Sequence, residues 1–256
     1  MFKGRIVFVT GASSGIGAAC AEAFAAEGAS LLLCARRPER LKPVALTLSS
    51  RYGVPVHAFG LDVTRRDAVR AAMATLPDEW RAIDVLVNNA GKALGRGPMY
   101  ETRVDHVDGM IDTNVKGLIH VSQAVIPGML ERGRGHVINI GSTASKWVYP
   151  GGAVYCATKA AVNALTEGLK MDLHGTPLRV SSVDPGLVET EFSLVRFEGD
   201  AQKASSVYAD MTPLTAEDVA QAVLFCASRP AHVNISQIVM LPTDQSSSSM
   251  VHRRPK

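Results

Sequence analysis

The sequence predicts an α/β protein built on a doubly wound parallel sheet of about seven strands with helices on both faces. Three observations predict it. Short apolar runs alternate with segments of helical period along the whole chain, the first run ends in a glycine-rich turn that opens a helix, and small polar residues follow the later runs. A chain of 256 residues with 46% apolar and 20% charged residues can bury one large core, so residues 1–256 are read as a single domain.

The predicted elements run in strict alternation. Strand Arg5–Val9 leads to helix Ile16–Glu27, strand Ser30–Cys34, helix Pro38–Arg51, strand Val54–Phe59, helix Arg65–Leu76 and strand Ile83–Val87. A long helix over Val104–Glu131 follows, then strand His136–Ile140, helix Gly152–Leu173, strand Leu178–Val183, helix Ala216–Ala227 and strand Ile235–Met240. The net charge of +3 is mild and its one basic cluster, His252 to Lys256, is short, which argues against a nucleic-acid surface. No apolar run is long enough to cross a membrane, and no signal peptide is expected because a strand begins almost at Met1. Cys20, Cys34, Cys156 and Cys226 lack metal or redox spacing, so no metal is expected and they read as reduced thiols of a cytoplasmic protein.

Chemistry first enters at Thr10-Gly11-Ala12-Ser13-Ser14-Gly15-Ile16-Gly17. Glycines at a strand-to-helix turn let backbone approach a pyrophosphate at the helix N-terminus, although Gly-x-x-x-Gly-x-Gly is not the Gly-x-Gly-x-x-Gly of the best-known dinucleotide fingerprint. The second strand ends in Arg36-Arg37 rather than an acidic residue. A carboxylate there would hydrogen-bond NAD, whereas an arginine grips the extra phosphate of NADP; the plain alternative is two solvated arginines. Asp62, before Val63, either accepts a bond from the adenine amine or caps the following helix. Asn88-Asn89-Ala90-Gly91 stands at a strand's carboxyl end, where open α/β sheets bind ligands. Asn114 lies inside a helical run that its amide disfavours, which points to a specific task.

The reacting groups are expected between Ser142 and Lys159. Ser142 follows a strand, so its hydroxyl sits at the sheet's carboxyl edge, while Tyr155 and Lys159 share one helical face one turn apart. Lowering a tyrosine from about 10 to about 7 takes roughly 4 kcal/mol, and an ammonium about 5 Å away at a dielectric of about 20 supplies roughly 3 kcal/mol. Lysine is then the expected main cause of an activated phenol, with Ser142 holding a substrate oxygen. Set against this, Tyr-x-x-x-Lys occurs by chance in many helices.

Residues 186–212 exceed an ordinary connection and carry Phe192, Leu194, Arg196, Phe197 and Tyr208, so they are read as a lid. Arg196, the only arginine in it, either binds a substrate carboxylate or pairs with Glu198 or a neighbouring subunit. Trp147 and Tyr149 either wall a small pocket or pack under the lid. Residues 241–256 are read as a tail, loosely held from the serine-rich stretch Gln245–Met250 onward.

Taken together, Thr10–Gly17, Asn88–Gly91, Asn114, Ser142, Tyr155–Lys159 and Pro185-Gly186 resemble the short-chain dehydrogenase/reductase family across essentially the whole chain. The resemblance implies a Rossmann-like fold with NAD(P) at the sheet's carboxyl edge, in contact with the glycine-rich turn, Arg36, Arg37, Asp62, Val63, Asn89, Ala90, Gly91, Tyr155, Lys159, Pro185, Gly186, Val188 and Thr190. It implies Tyr155 as acid–base group, Lys159 lowering its pKa and holding the nicotinamide ribose, Ser142 orienting the substrate oxygen, and Asn114 supporting a water-linked proton path to Lys159. Arg36-Arg37 matches NADP-preferring members, many of which carry a basic residue where this chain has Ser14. Asp112–Leu118, Asn139–Ala144, Asp172–Thr176, Pro185–Phe197 and Pro230–Ile235 resemble, more narrowly, the NADP-dependent 3-hydroxy acid dehydrogenases, a group that includes serine and allo-threonine dehydrogenases and malonic semialdehyde reductases. That implies a homotetramer interconverting a small 3-hydroxy acid and its 3-oxo acid. Lys92 departs from the apolar residue expected there. The rival expectations are a reductase of neutral ketones, sugars or cyclic alcohols, and an inactive NADP-sensing protein.

Overall fold

Alternating apolar runs become a single seven-stranded parallel sheet in the computed structural model, which describes residues 1–254. Strands β1 (Ile6–Thr10), β2 (Ser30–Ala35), β3 (Val56–Gly60), β4 (Ile83–Asn88), β5 (His136–Ile140), β6 (Arg179–Pro185) and β7 (Gln237–Met240) lie in the order β3-β2-β1-β4-β5-β6-β7. The order reverses between β1 and β4, which opens a crevice at the strands' carboxyl ends. Helices α1 (Gly15–Ala26), α2 (Pro38–Tyr52), α3 (Arg66–Ala74), α4 (Val104–Ile111), α5 (Gly117–Glu131), α6 (Ala153–Asp172), α7 (Glu191–Arg196), α8 (Ala201–Ser206) and α9 (Ala216–Ala227) supply the crossovers and the lid.

Strands β1, β2, β4, β5 and β6 are buried at nearly every position because both sheet faces are covered. In β1, Val7 and Val9 enter one core with Phe24 of α1, Leu41 of α2 and Val223 of α9. Ile6 and Phe8 enter the opposite core with Val69 of α3 and Val125 and Met129 of α5. Period-two alternation thus divides one strand between two cores, and each large side chain so buried contributes about 1.5–3 kcal/mol. The edge strand β3 is only half-buried, as one side of the sheet ends there. Helix starts follow local chemistry: Pro38 opens α2, and Thr215 and Asp218 form a reciprocal capping box before α9.

Four details depart from the sequence reading. The expected continuous helix Val104–Glu131 is interrupted by a π-helical turn at Asp112–Lys116, where Thr113 and Asn114 are buried. Strand β7 begins at Gln237, two residues later than expected. The lid has its own structure, α7 and α8, pinned where the Tyr208 hydroxyl donates to the Val188 carbonyl at 2.8 Å. The tail is not slack: Gln245 is buried with its Oε1 accepting from the Leu187 amide at 2.8 Å, and the Arg254 amide donates to the Asp210 carbonyl at 2.8 Å. Pro255 and Lys256, the last of the expected basic cluster, lie outside the described residues. No described helix is long and apolar enough to cross a membrane.

Candidate active site

A cavity of about 330 Å³ runs along the crevice from the glycine-rich turn to the lid. At one end, Gly15 has φ +54°, a left-handed conformation open to glycine at little cost. A Cβ on Gly17 would stand 2.4 Å from the Gly11 carbonyl oxygen, so only glycine lets the turn close on itself. Ser14 precedes α1 without capping it through its side chain, and the first turn holds no acidic residue. The α1 amides are therefore left to meet an anion, and Arg36 and Arg37 stand exposed at the same cavity's rim. This donor set fits a phosphorylated dinucleotide.

Two of the expected cofactor residues, Asn89 and Asp62, also make structural hydrogen bonds. The Asn89 carboxamide donates to the Thr10 carbonyl at 2.9 Å and the Gly11 carbonyl at 3.1 Å, and the Thr10 hydroxyl accepts from the Asn89 and Ala90 amides. Asn89 thereby ties the end of β4 to the end of β1 while still lining the cavity. Asp62 does not line it, although Val63 does; its Oδ1 accepts from the Thr64 amide at 3.0 Å and the Thr64 hydroxyl at 2.8 Å. It does not cap the following helix, whose N-cap position is Arg65 and carries no side-chain bond.

Asn114 is held by the π-helical turn with its carboxamide fully engaged. Its Oδ1 accepts from the Lys92 amide and its Nδ2 donates to the Lys92 carbonyl, both at 2.8 Å, with a further bond to the Thr158 hydroxyl at 3.0 Å. The side chain clamps the loop after β4 onto α6.

Ser142, Tyr155 and Lys159 all line the other end of the cavity. The Ser142 hydroxyl accepts from the Ala144 amide at 3.1 Å and faces the Pro185 carbonyl at 3.5 Å. Tyr155 is 9% exposed, its ring edge-on to Phe192 at 5.7 Å. Here the electrostatic expectation needs correction. Burial dominates and pushes the Tyr155 phenol well above its ordinary value, opposed by the Ser142 hydroxyl and the Arg196 guanidinium, not by Lys159. The Lys159 ammonium donates instead to the Ile140 carbonyl at 2.8 Å, and burial lowers its pKa to about 8 against the pull of Asp184. Tyr155 and Lys159 lie one turn apart on α6, but the buried carbonyl at the end of β5 holds the ammonium.

Arg196 is the last residue of α7. Its Nε donates to the Gly95 carbonyl at 3.1 Å and its Nη1 to the Tyr149 hydroxyl at 2.9 Å. The guanidinium lies 5.4 Å from the Tyr149 ring centre and 5.9 Å from that of Tyr155. The expected alternative pairing with Glu198 does not form, because that carboxylate faces Arg103 at 3.5 Å and His106 at 3.4 Å. Tyr149 lines the cavity, whereas Trp147 does not and is 37% exposed. Sequence reading missed Arg96, whose guanidinium lies 6.0 Å from the Tyr149 ring centre and which also lines the cavity. The available signal was a lone arginine between Gly95 and Gly97 in the loop after β4. Lys92 lines the cavity too, but its charge is depressed first by burial and then by Arg36, which places it toward the dinucleotide end.

The chain is similar to known proteins in sequence and fold. The NADP-dependent 3-hydroxy acid dehydrogenase YdfG of Salmonella typhi is 50% identical over 250 residues, spanning 97% of this chain and 99% of the relative. Sulfoacetaldehyde reductase 2 of Chromohalobacter salexigens is 46% identical over 245 residues, spanning 95% and 96%. The closed form of serine dehydrogenase complexed with NADP+ superposes with a TM-score of 0.91 at 47% identity, covering 98% of this chain and all of that one. The sequence profile described as short chain dehydrogenase matches residues 5–201. With that match and these relatives, the chain belongs to the short-chain dehydrogenase family.

Proposed function

We propose that this protein is an NADP-dependent oxidoreductase interconverting a small 3-hydroxy acid, of the serine, allo-threonine or 3-hydroxypropionate type, and its 3-oxo acid by hydride transfer. The observation that carries the substrate class is Arg196, fixed by Gly95 and Tyr149 at the end of the cavity that holds Tyr155. A guanidinium so held is a preformed seat for a substrate carboxylate. Names of relatives point the same way, and Arg96 beside Tyr149 adds a second positive charge.

NADP supplies or accepts the hydride when bound; the chain's own residues do the rest. The α1 amides receive the pyrophosphate, Arg36 and Arg37 the extra phosphate, and Lys159 the nicotinamide ribose. Ser142 holds the substrate oxygen by hydrogen bond. Tyr155 donates a proton to that oxygen in reduction and takes it back in oxidation. Phe192 and the lid helix α7 keep water from this end of the cavity.

A sulfonate in place of the carboxylate is the second reading, favoured by the paired arginines and by the sulfoacetaldehyde reductase likeness. We further propose a cytoplasmic homotetramer. Four buried free thiols and the exposed run Met99, Tyr100, Val104 and Ile111 support it, and size-exclusion chromatography with light scattering tests it. A panel of short 3-hydroxy acids, 2-hydroxyethylsulfonate and neutral alcohols, each with NADP and with NAD and read by nicotinamide absorbance, tests the activity. Turnover confined to neutral alcohols would overturn the acid reading.

A further inference from the structure

Glu191 is the sole acidic residue lining the cavity among the described residues. Arg36, Arg37, Lys92, Arg96, Lys159 and Arg196 line the same space, so the rest of the ionic lining is positive. A carboxylate there opposes the phosphates of the dinucleotide proposed above, and its placement is unfavourable at the phosphate-binding end. Thr190, its neighbour, faces the glycine-rich turn: a Cβ on Gly15 would stand 3.3 Å from the Thr190 Cβ.

Arg40 resolves the conflict from outside the cavity. It rises from the first turn of α2, three residues after Arg37, and meets Glu191 in a two-bond fork, Nη1 to Oε2 at 2.9 Å and Nη2 to Oε1 at 2.5 Å. The partners are 151 residues apart and belong to opposite walls of the crevice, α2 on one side and the first residue of lid helix α7 on the other. The Glu191 carboxyl is held below its ordinary range first by that bond to Arg40, with Ser14 and Arg37 assisting. Both side chains are partly exposed, so the pair adds little to global stability. Its effect is local, where the start of the lid meets α2 beside Arg36 and Arg37 at the cavity's rim.

We propose that Arg40 is a positioning residue that neutralises Glu191 and latches the start of the lid to α2 across the cofactor entrance, controlling affinity and exchange of NADP(H) without touching it. The inference rests on the cofactor reading above. Without Arg40, an unpaired carboxylate faces the phosphates and the entrance loses its tie.

The test is NADPH fluorescence with wild type, Arg40→Ala, Glu191→Gln and the double variant, at equilibrium and by stopped flow. Arg40→Ala should raise the NADPH Kd about fivefold or more and speed its release, with greater loss at low salt. Glu191→Gln should speed release while keeping Kd within about twofold of wild type, since no carboxylate remains to repel. The double variant should match Glu191→Gln, removing the affinity loss of Arg40→Ala. Single-turnover hydride transfer in the loaded complex should be unchanged in all three. A double variant as weak as Arg40→Ala would show that Arg40 grips a phosphate itself, and overturn the proposal. So would an Arg40→Ala variant that binds and releases NADPH like wild type. Failure of the wild type to bind NADPH would instead sink the cofactor reading beneath it.

Discussion

The Arg196 guanidinium lies 5.9 Å from the centre of the Tyr155 ring, while Lys159, one turn along the same helix as Tyr155, gives its ammonium to the Ile140 carbonyl at 2.8 Å. The cation acting on the phenol thus comes from the lid, and the lysine that sequence spacing assigned to that task faces a strand end. Lid and proton donor are electrostatically one unit, and each can be tested separately.

Tyr155→Phe should abolish nearly all turnover while leaving NADPH binding close to wild type, because only the proton path is lost. Lys159→Ala should lose both activity and cofactor affinity. Steady-state rates and NADPH fluorescence titration check the pair, and wild-type turnover in the phenylalanine variant would refute the assignment of Tyr155.

Lys159 also sets a pH limit. Burial brings its pKa down to about 8, so its charge is present below that value and disappears as pH rises through it. Reduction should therefore hold steady between about pH 6 and 7 and decline through about pH 8. Lys159→Arg, which keeps its charge, should move the decline upward. A decline that stays in place in the arginine variant would assign it to another group.

Replacing both Arg36 and Arg37 by alanine should weaken NADP far more than NAD. One charge-assisted bond is worth roughly 1.5–3 kcal/mol, so the NADP:NAD preference should fall about tenfold or more. Ratios of kcat/KM for the two cofactors measure it, and an unchanged ratio would mark both arginines as merely solvated.

For 3-hydroxy acids, Arg196→Ala should raise KM and lower kcat together, reducing kcat/KM about tenfold to a hundredfold. Tyr149→Phe, which removes the hydroxyl bonded to Nη1, should reproduce part of that loss. A neutral alcohol should lose only the share transmitted through Tyr155. Equal losses for both substrates would assign Arg196 to holding the lid.

His136 makes a stability prediction. Its Nε2 lies 2.8 Å from the Ser181 Oγ, whose own proton goes to the Ile235 carbonyl, so Nε2 is the donor, and the buried Nδ1 has no partner among the described residues. Burial, aided by Arg179, holds its pKa near 3 against an ordinary 6.5. Unfolded histidine takes a proton that the folded one refuses, so stability is complete above about 6.5 and falls on acidification toward 3, at up to about 1.4 kcal/mol per pH unit. Urea midpoints at pH 7 and pH 5 should therefore converge in His136→Gln relative to wild type.

Elements set by local order were legible before the structure. The apolar run Ile6–Val9, covered on both faces, and the one-turn spacing of Tyr155 and Lys159 are properties of neighbouring residues, and both appear as expected. Contacts across the chain were not legible. Arg196 finds Gly95 at a separation of 101 residues, Gln245 finds Leu187 at 58, and Lys159 turns to Ile140 rather than to Tyr155. No spacing rule reports which carbonyl a folded strand leaves unpaired. Asn114 stands between these cases: its unsuitability for a helix was visible, its partner Lys92 was not.

The π-helical turn at Asp112–Lys116 makes chain length itself a constraint. Such a turn accommodates one residue more than the surrounding α-helix would. Deleting one residue there would let the helix run on regularly with both flanks near their present phase, but the widened turn that buries Thr113 and Asn114 would be lost. The apolar stripe of α5, from Val121 to Met129, would keep its place in the core, and Asn114 would leave Lys92. Over this passage the number of residues is therefore a requirement separate from their identity.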